Sequence, residues 1–121
     1  MIAKRSQHYV YKAKILRWVD GDTVDVDIDL GFGIIYSNQR VRLYGIDAPE
    51  SRTKDLEEKT LGKKAKAFAE KYAPEGKIVT LQTQLDSKGK YGRILGLIII
   101  DETINLNLLM VSEGIARKYE E

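Results

Sequence analysis

The chain has 121 residues, 43% hydrophobic and 31% charged, which fits one globular domain with a core large enough to stand without staples. It carries no cysteine and a single histidine, His8, which excludes a disulfide framework, a thiolate metal site, a cysteine nucleophile and any centre built on two imidazoles. The formal net charge of +2 is mild, and the longest apolar run, residues 94–100, falls far short of the ~20 residues a membrane helix needs, so no membrane partner is expected.

In chain order, Met1 to Gln7 has basic residues with no apolar stretch behind them. No signal peptide is therefore expected, which favours an intracellular or phage-type setting over secretion. We read residues 1–8 as a flexible terminus and 1–121 as one domain. Residues 9–19 are rich in Tyr, Val, Ile and Trp and predict a first strand. Val24, Val26, Ile28 and Leu30 then alternate with Asp25, Asp27 and Asp29. Period two predicts a second strand with one buried face and one acidic, solvated face. Gly31-Phe32-Gly33 punctuates, and a third strand is expected through Val41, Leu43 and Ile46.

Pro49 breaks the pattern. Leu61, Ala65, Phe68 and Tyr72 recur at helical spacing, with lysines at 59, 63, 64, 66 and 71, and Ala73-Pro74-Glu75-Gly76 ends the helix. Ile78, Thr80 and Gln82 alternate with Val79 and Leu81 as a fourth strand, and residues 94–100 read as a buried fifth. Ile104, Leu108, Leu109 and Val111 predict a short second helix. The fold class is mainly β (α+β): five short strands with a helix between the third and fourth, the element order of an OB-type Greek-key barrel with two or three short helices.

Three segments carry candidate chemistry. An EF-hand loop starting at Asp25 fails, because its sixth and twelfth positions are Leu30 and Tyr36 instead of Gly and Glu. Asp25, Asp27 and Asp29 are thus expected to be a solvated hairpin face, whereas Asp20 and Asp22 flank Gly21 at a strand junction. In Arg42-Leu43-Tyr44-Gly45-Ile46-Asp47-Ala48-Pro49-Glu50, Asp47 and Glu50 stand where a strand leaves the sheet. Two such carboxylates, with a backbone carbonyl such as that of Ala48, suit a hard cation, and the upstream arginine suits a phosphate. In Asp86-Ser87-Lys88-Gly89-Lys90-Tyr91-Gly92-Arg93, a polar loop delivers Arg93 to an apolar strand, where a guanidinium needs a partner or a wet cleft.

Together these segments resemble the staphylococcal-nuclease-like (thermonuclease) family. The matching strings are Asp20-Gly21-Asp22-Thr23-Val24, Arg42 through Asp47-Ala48-Pro49-Glu50, and Lys90-Tyr91-Gly92-Arg93. Leu61-Gly62 with Ala65, Ala67 and Phe68 resembles the family's first helix, and Asn105, Leu109 and Gly114-Ile115-Ala116 its next helix and the segment after it. The resemblance implies an OB-fold barrel and Ca2+-dependent hydrolysis of phosphodiester bonds in DNA and RNA, on the 5′ side of phosphorus with 3′-phosphate products. It implies Asp22, Asp47 and the Ala48 carbonyl as calcium ligands, Glu50 as general base, and Arg42 and Arg93 as phosphate-binding arginines. Tyr91 and Lys90 match contacts to the nucleotide's terminal phosphate and sugar. Single-stranded or denatured nucleic acid is the expected partner and a monomer the expected state, with a dimer as the alternative.

The family's longer members continue into a further helix and carry base-contacting tyrosines; here aligning Gly114 places Glu120 near one of those positions, with Tyr119 beside it. The competing readings are a non-catalytic nuclease-like module and a bare OB-type adaptor. Charge partition favours a polyanion: residues 20–29 hold five aspartates and no base, so the other 20 basic and 13 acidic side chains sum to plus seven.

Overall fold

The alternation along the strands closes into a barrel in the computed structural model of the chain, which describes residues 9–84 and 94–120. The elements are β1 (Val10–Asp20), β2 (Thr23–Gly31), β3 (Ile34–Leu43), β4 (Ile46–Asp47), α1 (Leu56–Tyr72), β5 (Ile78–Gln84), β6 (Ile94–Ile100), β7 (Ile104–Asn105), α2 (Leu106–Ser112) and β8 (Arg117–Lys118). The main sheet runs β3-β2-β1-β5-β6-β7, and β3 also pairs with β6. That second pairing is parallel, Val41 opposite Ile94 and Leu43 opposite Gly96. It joins the two ends of the sheet, so β1, β2, β3, β5 and β6 form the five-stranded, mixed barrel that the element order predicts.

Period-two residues fill the barrel: Ile15, Val24, Val26, Val41, Leu43, Leu81 and Ile98 are all fully buried. Each such side chain stabilises the fold by about 1.5–3 kcal/mol relative to exposure. Trp18 belongs to the same core, and its indole N–H donates to the Ala73 carbonyl at 2.8 Å, tying β1 to the end of α1. Asn107, 1% exposed on α2, accepts from the Ile98 N–H and donates to the Tyr44 and Gly96 carbonyls. One buried amide thus locks α2 onto β6 and the turn after β3. No described helix is long and apolar enough to cross a membrane.

The structure departs from the sequence reading at several places, the smallest being Ile104, expected in the second helix but paired with Ile100 in β7 ahead of a helix that starts at Leu106. The third strand ends at Leu43; Gly45, with φ near +78°, turns the chain, and Ile46–Asp47 pairs instead with Arg117–Lys118. Helix α1 starts at Leu56, earlier than its apolar periodicity, because Asp55 caps it through the N–H groups of Glu57 and Glu58. Its buried face is Gly62, Ala65 and Ala69, with Leu61 exposed. The helix lies so close to the barrel that only small residues fit: a Cβ on Gly21 would stand 2.8 Å from that of Ala65.

A further departure is the acidic face. Asp25 is only 4% exposed and accepts from Arg40 Nε at 2.8 Å, from Arg40 Nη2 at 3.2 Å and from Arg17 Nη1 at 2.7 Å. The Arg40 hydrogen bonds, seconded by Arg17, hold its carboxyl below the ordinary aspartate range against the opposing effect of burial. Asp27 and Asp29 meet the expectation more nearly; they accept from the backbone N–H groups of Asn38 and Gly31 in exposed hydrogen bonds. Leu30, expected on the buried face, is exposed with its hairpin neighbours Phe32, Ile34, Ile35 and Tyr36.

Candidate active site

Asp22 sits in the tight junction between β1 and β2, and Asp47 in the short strand β4. The fold brings them to one arginine. Arg42 Nη1 lies 3.5 Å from Asp22 Oδ2, and Arg42 Nη2 lies 3.7 Å from Asp47 Oδ1. The guanidinium is held from the rear: Nη1 donates to the Leu43 carbonyl at 3.1 Å and to the Ile46 carbonyl at 2.8 Å. Its partners are therefore backbone groups of the turn itself, and its orientation is fixed by the β3–β4 connection.

The two ends of the Asp20-Gly21-Asp22 triplet fasten the loop that follows Asp47. Asp22 Oδ2 accepts from the Ala48 N–H at 2.9 Å, and Asp20 Oδ1 accepts from the Ser51 N–H at 3.0 Å and its hydroxyl at 2.7 Å. Residues 48–51 are thus pinned at both ends, with Glu50 between the pins and exposed. Helix α1 backs the same loop, since a Cβ on Gly62 would collide with the Glu50 carbonyl and the Ser51 nitrogen. Glycine is required there by close approach.

The donor set fits a hard divalent cation. Asp22 and Asp47 offer carboxylate oxygens, the ligand type such ions take. Asp22 already accepts one hydrogen bond on each oxygen, from the Thr23 hydroxyl at 2.9 Å and from Ala48, out of about four lone-pair sites. The Arg42 contacts are longer than the ~2.7–2.9 Å of a charge-assisted hydrogen bond, so the guanidinium neutralises both carboxylates without saturating them. Among the described residues no three carboxylate or imidazole side chains converge. A cation held by Asp22 and Asp47 would complete its shell with a carbonyl such as that of Ala48, water and substrate oxygen.

Asp22, Arg42, Asp47, Ala48 and Glu50 are thereby gathered on one end of the barrel. Arg93, Lys90 and Tyr91 lie outside the described residues. Two further residues reach the site: Arg117, which the sequence reading did not single out, and Tyr119, noted there only beside the aligned Glu120. Arg117 Nη2 lies 3.2 Å from Asp47 Oδ2, and the Tyr119 ring lies 5.7 Å from the Arg42 guanidinium carbon. Both arrive through β8, whose two residues pair with β4 and whose successor Tyr119 donates its N–H to the Gly45 carbonyl. A concavity of about 670 Å³ opens beside the site, lined by Asp47, Glu50, Asp55, Glu57, Glu58 and Arg117 among others.

Residues 40–121 match the family profile described as staphylococcal nuclease homologue. Endonuclease YhcR of Bacillus subtilis (strain 168) is 31% identical over 114 residues, covering 90% of this chain and 9% of that protein. The thermonuclease of Staphylococcus intermedius is 34% identical over 114 residues, covering 93% of this chain and 60% of that protein. The thermonuclease of Staphylococcus hyicus is 31% identical over 104 residues, covering 86% and 57% respectively. The chain spans three-fifths or less of the length of each of these relatives.

Proposed function

The chain belongs to the family of staphylococcal nuclease homologues, and from that premise we propose that it is a Ca2+-dependent nuclease hydrolysing phosphodiester bonds in DNA and RNA. The observation that carries this reading is the single guanidinium of Arg42 facing both Asp22 and Asp47, with Glu50 exposed on the pinned loop beside them. Carboxylates alone repel a phosphodiester; an arginine set among them, held by backbone carbonyls, offers it a rigid charge-assisted fork.

Asp22, Asp47 and the Ala48 carbonyl would hold the calcium. When bound, the ion supplies Lewis-acid polarisation of the phosphoryl oxygen. Arg42 binds the phosphate and meets the charge that develops on it in the transition state. Glu50 orients the attacking water and removes its proton, a role its exposed position on a fixed loop allows. The bond to the 5′-oxygen breaks and the products are a 3′-phosphate and a 5′-hydroxyl. Arg93 is assigned the second phosphate contact, and Lys90 and Tyr91 the terminal phosphate and sugar, on family resemblance alone. The side chains of Asp22, Asp47 and Glu50 sum to minus three, and Ca2+ with Arg42 and Arg93 to plus four, so the assembled site is near plus one, suited to a diester approaching a dianion.

Cleavage of denatured DNA tests the reading. We expect cutting with calcium, arrest by chelator, and 3′-phosphate ends. No calcium-dependent cleavage of denatured DNA or RNA would assign the chain to the non-catalytic module instead.

A further inference from the structure

Helix α1 and the loop before it separate two concavities of opposite character. Glu50 lines the acidic one described above, and the next residue, Ser51, lines the other. This second concavity, about 460 Å³, is formed by Ser51, Arg52, Thr53, Lys59, Lys63 and Lys66. It holds four cations and two hydroxyls, and no carboxylate lines it. Lys59, Lys63 and Lys66 follow one another at four and three residues, the spacing that stacks side chains on a single helix face.

Among the described residues these cations are uncommitted: none of Arg52, Lys59, Lys63 or Lys66 makes an ion pair, whereas Arg17, Arg40, Arg42 and Arg117 all do. Like charges four apart on a helix repel, so the Lys59–Lys63 pair works against the helix's own stability. An anionic ligand would reverse that sign.

We propose that this basic face of α1 is a track for the phosphate backbone of a single nucleic-acid strand, carrying the phosphates that flank the one held at Arg42. The proposal rests on the nuclease reading and adds the path of the substrate to it. Three observations select a polynucleotide. The concavity begins one residue from Glu50, so a strand engaged at the site meets it directly. The rise from Lys59 to Lys66 is about 10 Å, long enough for successive phosphates of one strand. Beyond the site, the cap and first turn of α1 present Asp55, Glu57 and Glu58 to the other concavity, which leaves the lysine face as the favourable path for a polyanion.

The experiment compares the wild-type chain with K59Q/K63Q/K66Q, in which exposed Lys63 and half-buried Lys59 and Lys66 are replaced by a residue of similar helix propensity. Binding of a fluorescent 20-nucleotide oligothymidylate is measured by anisotropy against salt concentration, with chelator present so that nothing is cut. Three lost single-strand contacts predict a slope shallower by about 2, which is an affinity about 100-fold weaker at 0.1 M salt. With calcium, kcat/KM for long denatured DNA falls in the variant while that for a small nitrophenyl nucleotide diester stays at the wild-type value. An unchanged slope, or equal losses on the long and the small substrate, would overturn the proposal. So would loss of binding to anionic phospholipid vesicles with the oligothymidylate slope intact, which would assign the face to a lipid surface. If the wild-type cuts neither substrate but the slopes differ as stated, the track stands and the nuclease reading fails.

Discussion

On the β2–β3 ladder Asp25 stands opposite Arg40, and two residues along the same strands Thr23 stands opposite Arg42. Both positions place an arginine of β3 beside an aspartate of the β1–β2 hairpin, yet the two contacts differ in kind. Arg40 and Arg17 meet Asp25 at 2.7–3.2 Å and fill its oxygens, while their own side chains remain more than half exposed. Arg42 stands off its two carboxylates at 3.5 and 3.7 Å, with its own side chain only 14% exposed. The first cluster is a closed clamp between strands. The second is more open: Arg42 is fixed by carbonyls, Asp22 keeps free lone pairs, and Asp47 takes its closer contacts from Arg117, Nη2 at 3.2 Å and Nε at 3.4 Å on one oxygen. Distance and saturation, more than residue type, separate the structural pair from the candidate site.

Substitutions around the open cluster should lower rate, and where the replaced side chain is exposed they should leave stability unchanged. Glu50→Gln is expected to slow cleavage of denatured DNA by about 10²–10⁴-fold, the usual worth of general-base assistance. A urea titration should give a midpoint close to that of the wild type, because Glu50 is exposed. Gly62→Ala forces the Glu50–Ser51 backbone away from α1. A displacement of about 1 Å in a positioning loop costs on the order of 10²-fold in rate, which single-turnover cleavage would measure.

The closed cluster should behave in the opposite way. Asp25→Asn removes the charge that both arginines grip and is expected to cost about 1–3 kcal/mol of stability, read by urea unfolding, with cleavage per folded molecule unchanged. The pH dependence has a definite sign. The folded carboxyl titrates below its unfolded value, so its contribution is complete above the unfolded pKa of about 3.9 and is lost as pH falls through the folded one. The stability gap between wild type and Asp25→Asn should therefore hold from pH 7 to about 5 and close on further acidification.

The barrel was largely legible in the chain. The Val-Asp alternation of β2, the apolar run of β6 and the Val79/Leu81 pattern of β5 each marked a real strand. What stayed hidden was non-local. The alternation that leaves Asp27 half-buried and Asp29 exposed predicts an exposed Asp25 equally well, and it is Arg17 and Arg40 on the neighbouring strands that close over it. β4 and β8 have two residues each, too short for any periodicity. Arg117 and Tyr119 come to the site through that pairing alone. The first turn of α1 carries exposed Leu56 and acidic residues, so its start is marked by the Asp55 cap and not by an apolar stripe. The expected site residues came from family resemblance and not from any local pattern, because Asp22 and Arg42 lie 20 positions apart and no spacing rule joins them.

The central assignment is tested most directly by Arg42→Lys and Arg40→Lys made in parallel and assayed for calcium-dependent cleavage of denatured DNA at equal folded fraction. Lysine keeps the charge and removes the fork, a change felt where a planar, two-armed contact to phosphate matters. The account predicts that Arg42→Lys loses about 10²-fold or more in rate and that Arg40→Lys cleaves at the wild-type rate. Equal rates in the two variants, or a loss confined to Arg40→Lys, would contradict it.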